Sequence, residues 1–166
     1  MIDTRQLLLL QGFSAADVAG GTDFAGLARW TPLCCAAFGL VGVWLGNGWY
    51  LLGLGALTMT GGFTASSIYD RLFNHLVRFP LHARRIPDHG NPRRFGCAIG
   101  GMMYLLGGSG WLLHNAYLAY LPTLFIITFA AIAGLTHWCF ASTLYQLIFG
   151  ASKEAACCCT TEGADE

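Results

Sequence analysis

Charge is what this sequence has least of. Only 11% of its 166 residues are charged, against about 25% in soluble domains. With 55% hydrophobic residues and a mean hydropathy of +0.53, that shortage excludes an ordinary soluble domain and points to an integral membrane protein. Net charge is zero, so a nucleic-acid partner has no electrostatic support. No Lys or Arg lies between Thr31 and Asp70, or between Phe95 and Ser152. No Ser-His-Asp spacing, P-loop or zinc-protease motif is present either. The sequence requires no cofactor and leans away from an enzyme.

Seven cysteines are present, but not as a secreted disulfide framework. Cys157, Cys158 and Cys159 are adjacent in a polar tail. Cys34, Cys35, Cys97 and Cys139 sit in or beside apolar stretches.

Two apolar blocks remain, about 35 and about 55 residues long, and a spanning helix needs about 20. Each block holds two spans. The expected fold is all-α: a polytopic membrane protein with four transmembrane helices in two hairpins, over 31–46, 50–67, 95–113 and 116–148. The last is too long for one straight crossing, so it tilts, kinks or projects into water. Pro32 falls in the first turn of the first span, where proline is tolerated. Glycines on the first two spans predict a tight hairpin between them. Residues 1–30 read as a cytoplasmic or interfacial segment with a short helix at the membrane surface and Trp30 at headgroup level. Residues 31–150 form the membrane domain, and 151–166 a polar, cysteine-containing tail.

Between the halves lies a basic loop, 69–94, with Arg71, Arg78, Arg84, Arg85, Arg93 and Arg94, six of the nine Lys and Arg residues. They are topology determinants, or they grip anionic lipid headgroups or a partner's acidic surface. The positive-inside rule places both termini and this loop in the cytoplasm of a bacterial inner membrane. Asp70 beside Arg71 reads as a local ion pair.

Three stretches carry a family resemblance: Tyr69-Asp70-Arg71-Leu72-Phe73-Asn74-His75-Leu76-Val77-Arg78, then Asn91-Pro92-Arg93-Arg94-Phe95-Gly96-Cys97, then Phe129 to Tyr145. In order and spacing, from about Ala28 to Gly150, the chain resembles DUF4395, small bacterial membrane proteins of uncharacterised function. Many members end the last span with Cys-x-x-Cys. Here that place reads Cys139-Phe140-Ala141-Ser142, so the resemblance supplies one thiol of the pair and no reaction.

Three functional readings follow. The first is a non-catalytic structural or accessory subunit, embedded in the lipid bilayer and packing through glycine-rich faces against other integral membrane subunits or itself. Trp44, Trp49, Trp111 and Trp138 would then face lipid or partners. The second is a thiol-redox or metal-handling protein using Cys139 with Cys34, Cys35 or the tail cysteines Cys157, Cys158 and Cys159. Soft metals suit thiolates, although adjacent residues such as Cys34 and Cys35 point about 100° apart on a helix, and cysteine also serves as a small hydrophobe. The third is a haem- or chlorophyll-binding subunit with His137, deep in the fourth span, as ligand; the alternative for His137 is a hydrogen bond to a neighbouring helix. No charged residue falls inside a predicted span, which argues against an ion-coupled transporter.

Overall fold

The computed structural model describes residues 4–14, 18, 22–64, 66–81, 83, 85–86, 88 and 90–150. Arg84 and the tail cysteines Cys157, Cys158 and Cys159 lie outside the described residues. Among the described residues every regular element is helical. Two short helices, α1 (Thr4–Leu10) and α2 (Thr22–Ala28), precede α3 (Trp30–Leu45). Next comes α4 (Gly48–Phe63), and then α5 (Ile68–Leu72), which runs through a π-helical turn, Phe73–Val77, into α6 (Arg78–Leu81). The remaining helices are α7 (Asn91–Leu112), α8 (Ala116–Thr136) and α9 (Phe140–Phe149).

Local chemistry sets these boundaries. Asn47 caps α4 by accepting from the amides of Trp49 and Tyr50, and Asn115 caps α8 by accepting from Leu118. Such caps satisfy amides that a helix start leaves without partners. Ser67 and Asp70 form a reciprocal capping box at the head of α5, the arrangement in which each side chain serves the other's backbone N–H. Pro92 sits in the first turn of α7, where its missing N–H costs nothing. The helix therefore begins four residues before the expected Phe95.

The four-span expectation is corrected. Among the described residues two helices are long and apolar enough to cross a membrane, Ala25–Leu45 and Ala116–Thr136, or three if the bent pair Gly48–Phe63 and Ile68–Pro80 is one span. The reasons are physical. At 16 residues α4 spans roughly 24 Å, short of a core about 30 Å thick. The 22-residue α7 is long enough, but Arg93, Arg94 and six glycines dilute its apolar character. The expected fourth span breaks at Thr136, and α9 is a separate ten-residue helix.

Of the two expected hairpins, the second is present, α7 packing on α8, and the tight first one is corrected. The tightest contact is between α4 and α7; α7 then packs on α8, and α8 on α3, while α3 and α4 touch little. Glycine explains the choice. A Cβ on Gly101 would stand 2.7 Å from the backbone N of Met59, and one on Gly108 would stand 2.8 Å from that of Leu52. Only residues without Cβ let two helix backbones come this close.

The N-terminal segment folds onto the protein. Leu8, Leu9, Phe13, Val18 and Ala28 form a second apolar cluster beside the main one. Gly90 N donates to Gly12 O, tying it to the head of α7, and Gln146 Nε2 donates to Leu10 O, tying it to α9. Trp30 is half-buried, with its indole N–H on Tyr69 O and its ring 5.2 Å from Phe73. Trp111 is half-buried against Tyr120, whereas Trp44 and Trp49 are exposed.

Candidate functional site: a thiol-lined cavity

Beside the main core, formed by Cys35, Leu51, Leu54, Tyr69, Tyr104 and Ile127 among others, lies a half-open cavity of about 110 Å³. Its body is apolar, walled by Ile99, Phe125, Ile126, Phe129 and Ala130. Three thiols reach it from three helices or their ends: Cys35 on α3, Cys97 on α7, and Cys139 at the N-cap of α9. All three are unpaired. Cys35 Sγ donates to Tyr104 Oη at 3.6 Å, and the Tyr104 hydroxyl donates to Cys35 O at 2.8 Å. That exchange fixes the rotamer of Cys35 across the α3–α7 contact.

Three polar residues that no local pattern connects, Gln11, Thr31 and Arg93, also line this cavity. Behind Thr31 and Arg93 stands Asp70, fully buried. Thr31 Oγ1 donates to Asp70 Oδ1, and Ser67 donates to Oδ2 from both its hydroxyl (2.7 Å) and its amide (3.2 Å). Arg93 Nη2 lies 3.8 Å from Asp70 Oδ1 and donates to Ala28 O, and its guanidinium stands 4.9 Å from the Phe13 ring centroid. The expected Asp70–Arg71 pairing is thus corrected: helical geometry turns Arg71 outward, and the partner is Arg93, 23 positions on.

The basic loop divides accordingly. Arg71 and Arg85 are exposed, Arg78 lies over Phe79, Arg94 is half-buried, and Arg93 is buried. Arg93 therefore does not belong to a surface that grips headgroups. Desolvating a guanidinium is tolerable only with a carboxylate and further acceptors at hand.

His137 lies not within a span but at its end. It caps α8 in the left-handed conformation, φ 60°, from which the chain turns into α9. Its Nε2 accepts from Arg29 Nε at 2.9 Å, and its carbonyl accepts from Gln11. This is the hydrogen-bonded alternative of the two sequence readings, and it engages one of the two ring nitrogens. Burial, and then the nearby Arg29 cation, hold the imidazole pKa below its ordinary value. The neutral ring is the form that can accept.

Cys34 is half-buried one position from Cys35 and is not among the residues lining the cavity. Cys35, Cys97 and Cys139 thus line one cavity, and Cys34 does not. Among the described residues no three or more His, Cys, Asp or Glu side chains converge to hold a metal ion. Cys97 has a signal in sequence: it stands four residues after Arg93, so both fall on one helix face. Asp70–Arg93 has none beyond the burial of a capping box, because nothing local pairs positions so far apart.

The geometry spans the same residues as a family match. The model of DUF4395, a domain of unknown function, matches residues 26–149. The chain belongs to the DUF4395 family. In this DUF4395 protein the matched region includes every cavity-lining residue except Gln11. Searches of curated proteins and of solved structures found no match.

Proposed function

We propose that this DUF4395 protein is an integral membrane thiol protein of the bacterial inner membrane, with Cys139 working alongside Cys35 and Cys97 in thiol–disulfide chemistry at the cavity. The observation that carries this is that three unpaired thiols from separate helices line one half-open cavity. Two apolar helices of 21 residues support the membrane placement, and the basic loop supports cytoplasmic termini. Cys139 has the best position for exchange. It sits at the N-cap of α9 with its side chain free of any capping bond, at the break between α8 and α9.

Mild oxidation of the purified protein in detergent, followed by peptide mapping, tests the reading. A disulfide joining Cys139 to Cys35 or Cys97, reversible with a dithiol, is expected. Cys139 left free while the others oxidise, in protein that stays folded, would count against it.

A second reading, the accessory subunit, is favoured by α9. This helix is too short to span, yet it exposes Leu147, Ile148 and Phe149. Apolar surface outside the candidate spans is what a partner subunit covers. Recovery of a discrete partner in mild detergent, lost in Leu147→Glu, supports it; a monodisperse monomer with no partner opposes it.

A further inference from the structure

From Ile68 to Leu81 the chain is one continuous helical run: α5, the π-helical turn and α6. Tyr69, Asp70 and Phe73 are its buried side. The outward side divides into two stripes. Leu72, Leu76 and Phe79 are large apolar side chains left exposed. Arg71 and His75 are exposed, and Arg78 is half-buried with its guanidinium 5.7 Å from the Phe79 ring centroid. Each stripe repeats at i, i+4 and i+7, and the two lie one residue apart, about 100° round a helix. An apolar flank beside a basic flank is the pattern of a helix lying at a membrane surface. The following loop adds a third arginine. Asn74 Nδ2 donates to Ile86 O and Asn74 Oδ1 accepts from Ile86 N, which holds the exposed Arg85 beside the π-helical turn. Apart from the buried Asp70, Asp88 is the only carboxylate from 68 to 90, so cations outnumber anions on this face.

Its place in the fold selects the anion. Trp30 Nε1 donates to Tyr69 O, and Arg29 Nε donates to His137 Nε2. The run therefore lies where one candidate span, Ala25–Leu45, begins and the other, Ala116–Thr136, ends. It is bent by 90° from α4, so it crosses the end of the bundle. The opposite ends of the spans carry the exposed aromatics Trp44, Trp49 and Tyr117, side chains suited to an interface, and no Lys or Arg. At the basic end a bilayer offers both things the two stripes need: an acyl boundary for the apolar flank and phosphates for the arginines.

We propose that the 68–81 run is an in-plane docking helix for anionic phospholipid. Leu72, Leu76 and Phe79 sink to the acyl boundary, while Arg71, Arg78 and Arg85 hold headgroup phosphates. The inference rests on the membrane placement proposed above and uses neither the cavity nor its thiols.

Trace spin-labelled phosphatidylglycerol or phosphatidylcholine, in phosphatidylcholine vesicles holding the full chain, tests it through the motionally restricted part of the spectrum. The anionic lipid is expected to associate about fivefold more strongly, the value of one arginine near the surface. Arg71→Gln combined with Arg78→Gln should bring the ratio towards one, and Arg71→Lys with Arg78→Lys, which keeps both charges, should retain it. A solvatochromic amino acid in place of Leu76 should emit as from an apolar medium in the same vesicles. Equal association of the two lipids, a preference that survives the double Gln variant, or water-like emission from position 76 would each overturn the proposal. Emission that turns apolar only in protein carrying a bound partner would also overturn it, and would give the face to an acidic protein. Alkaline carbonate extraction separates the two levels of the account. Release of the chain from the vesicles strikes the membrane placement and this inference with it, whereas an embedded chain without lipid preference strikes only the docking helix.

Discussion

A single methyl group on α7 should loosen the whole bundle. In Gly101→Ala the new Cβ would lie 2.7 Å from Met59 N and 2.8 Å from Gly55 O, both backbone atoms. Neither can swing aside as a side chain would. To reach ordinary contact the helices must part by roughly 0.7 Å, and overpacking of this kind costs about 1–3 kcal/mol. At about 2–4 °C per kcal/mol for a chain of this size, the melting temperature should fall by several degrees. Gly53→Ala is the internal control. Gly53 is exposed on α4, and a methyl added there would meet nothing within 4 Å; alanine at this position should gain about 0.5–1 kcal/mol of helix propensity. Thermal unfolding followed by fluorescence-detected size exclusion in one detergent separates the two. If both variants melt like the native protein, or Gly53→Ala falls as far as Gly101→Ala, the α4–α7 contact is not the tight seam described.

Other consequences are as direct. Asp70→Ala leaves Arg93 buried without its carboxylate and should cost about 3–5 kcal/mol, whereas Arg71→Ala, at an exposed position, should change stability by less than about 0.5 kcal/mol; the same melting assay reads both. His137 should titrate below the ordinary value of about 6.5, because burial and Arg29 disfavour its cation. The unfolded chain then takes up the proton first as pH falls, so the stability this group contributes is complete above about pH 7 and declines below about 6.5 towards the folded pKa. Imidazole proton NMR gives the midpoint, and Arg29→Ala should raise it; a midpoint at or above about 6.5 would contradict the buried, Arg29-bound ring. Asn74→Ala removes both bonds that hold the Ile86 backbone, 3.1 and 2.9 Å, and limited proteolysis should then cut first in the 83–90 stretch.

How far the sequence reaches depends on the range of the signal. Helix content, the turns at Asn47 and Asn115 and the apolar character of 116–136 rest on local composition and caps, and they are legible. Helix pairing is not. Glycines occur on every long helix, and only the backbone course shows that Gly101 and Gly108 face α4 while Gly110 faces Ala119 on α8. The place of His137 at the end of a helix, not deep within a span, is hidden for a related reason. An apolar run reads as continuous until one residue takes a left-handed conformation, and histidine at φ 60° gives no warning of it. Burial of Arg93 is hidden because its partner, Asp70, precedes it by 23 positions, across a loop that reads as wholly solvent-facing. Of the thiol pairings, Cys139 with Cys35 is among the sequence expectations, and the split between Cys34 and Cys35 follows from the roughly 100° step of the helix.

The central claim is that Cys35, Cys97 and Cys139 line one cavity and Cys34 does not. Maleimide labelling rates for the four cysteines, read peptide by peptide in the native chain and in Ala130→Leu, test it most directly. The account predicts that filling the cavity slows labelling of Cys35, Cys97 and Cys139 together and leaves Cys34 at its native rate. Slowing of Cys34 with the rest, or no change at Cys97 and Cys139 in a folded Ala130→Leu protein, would contradict it.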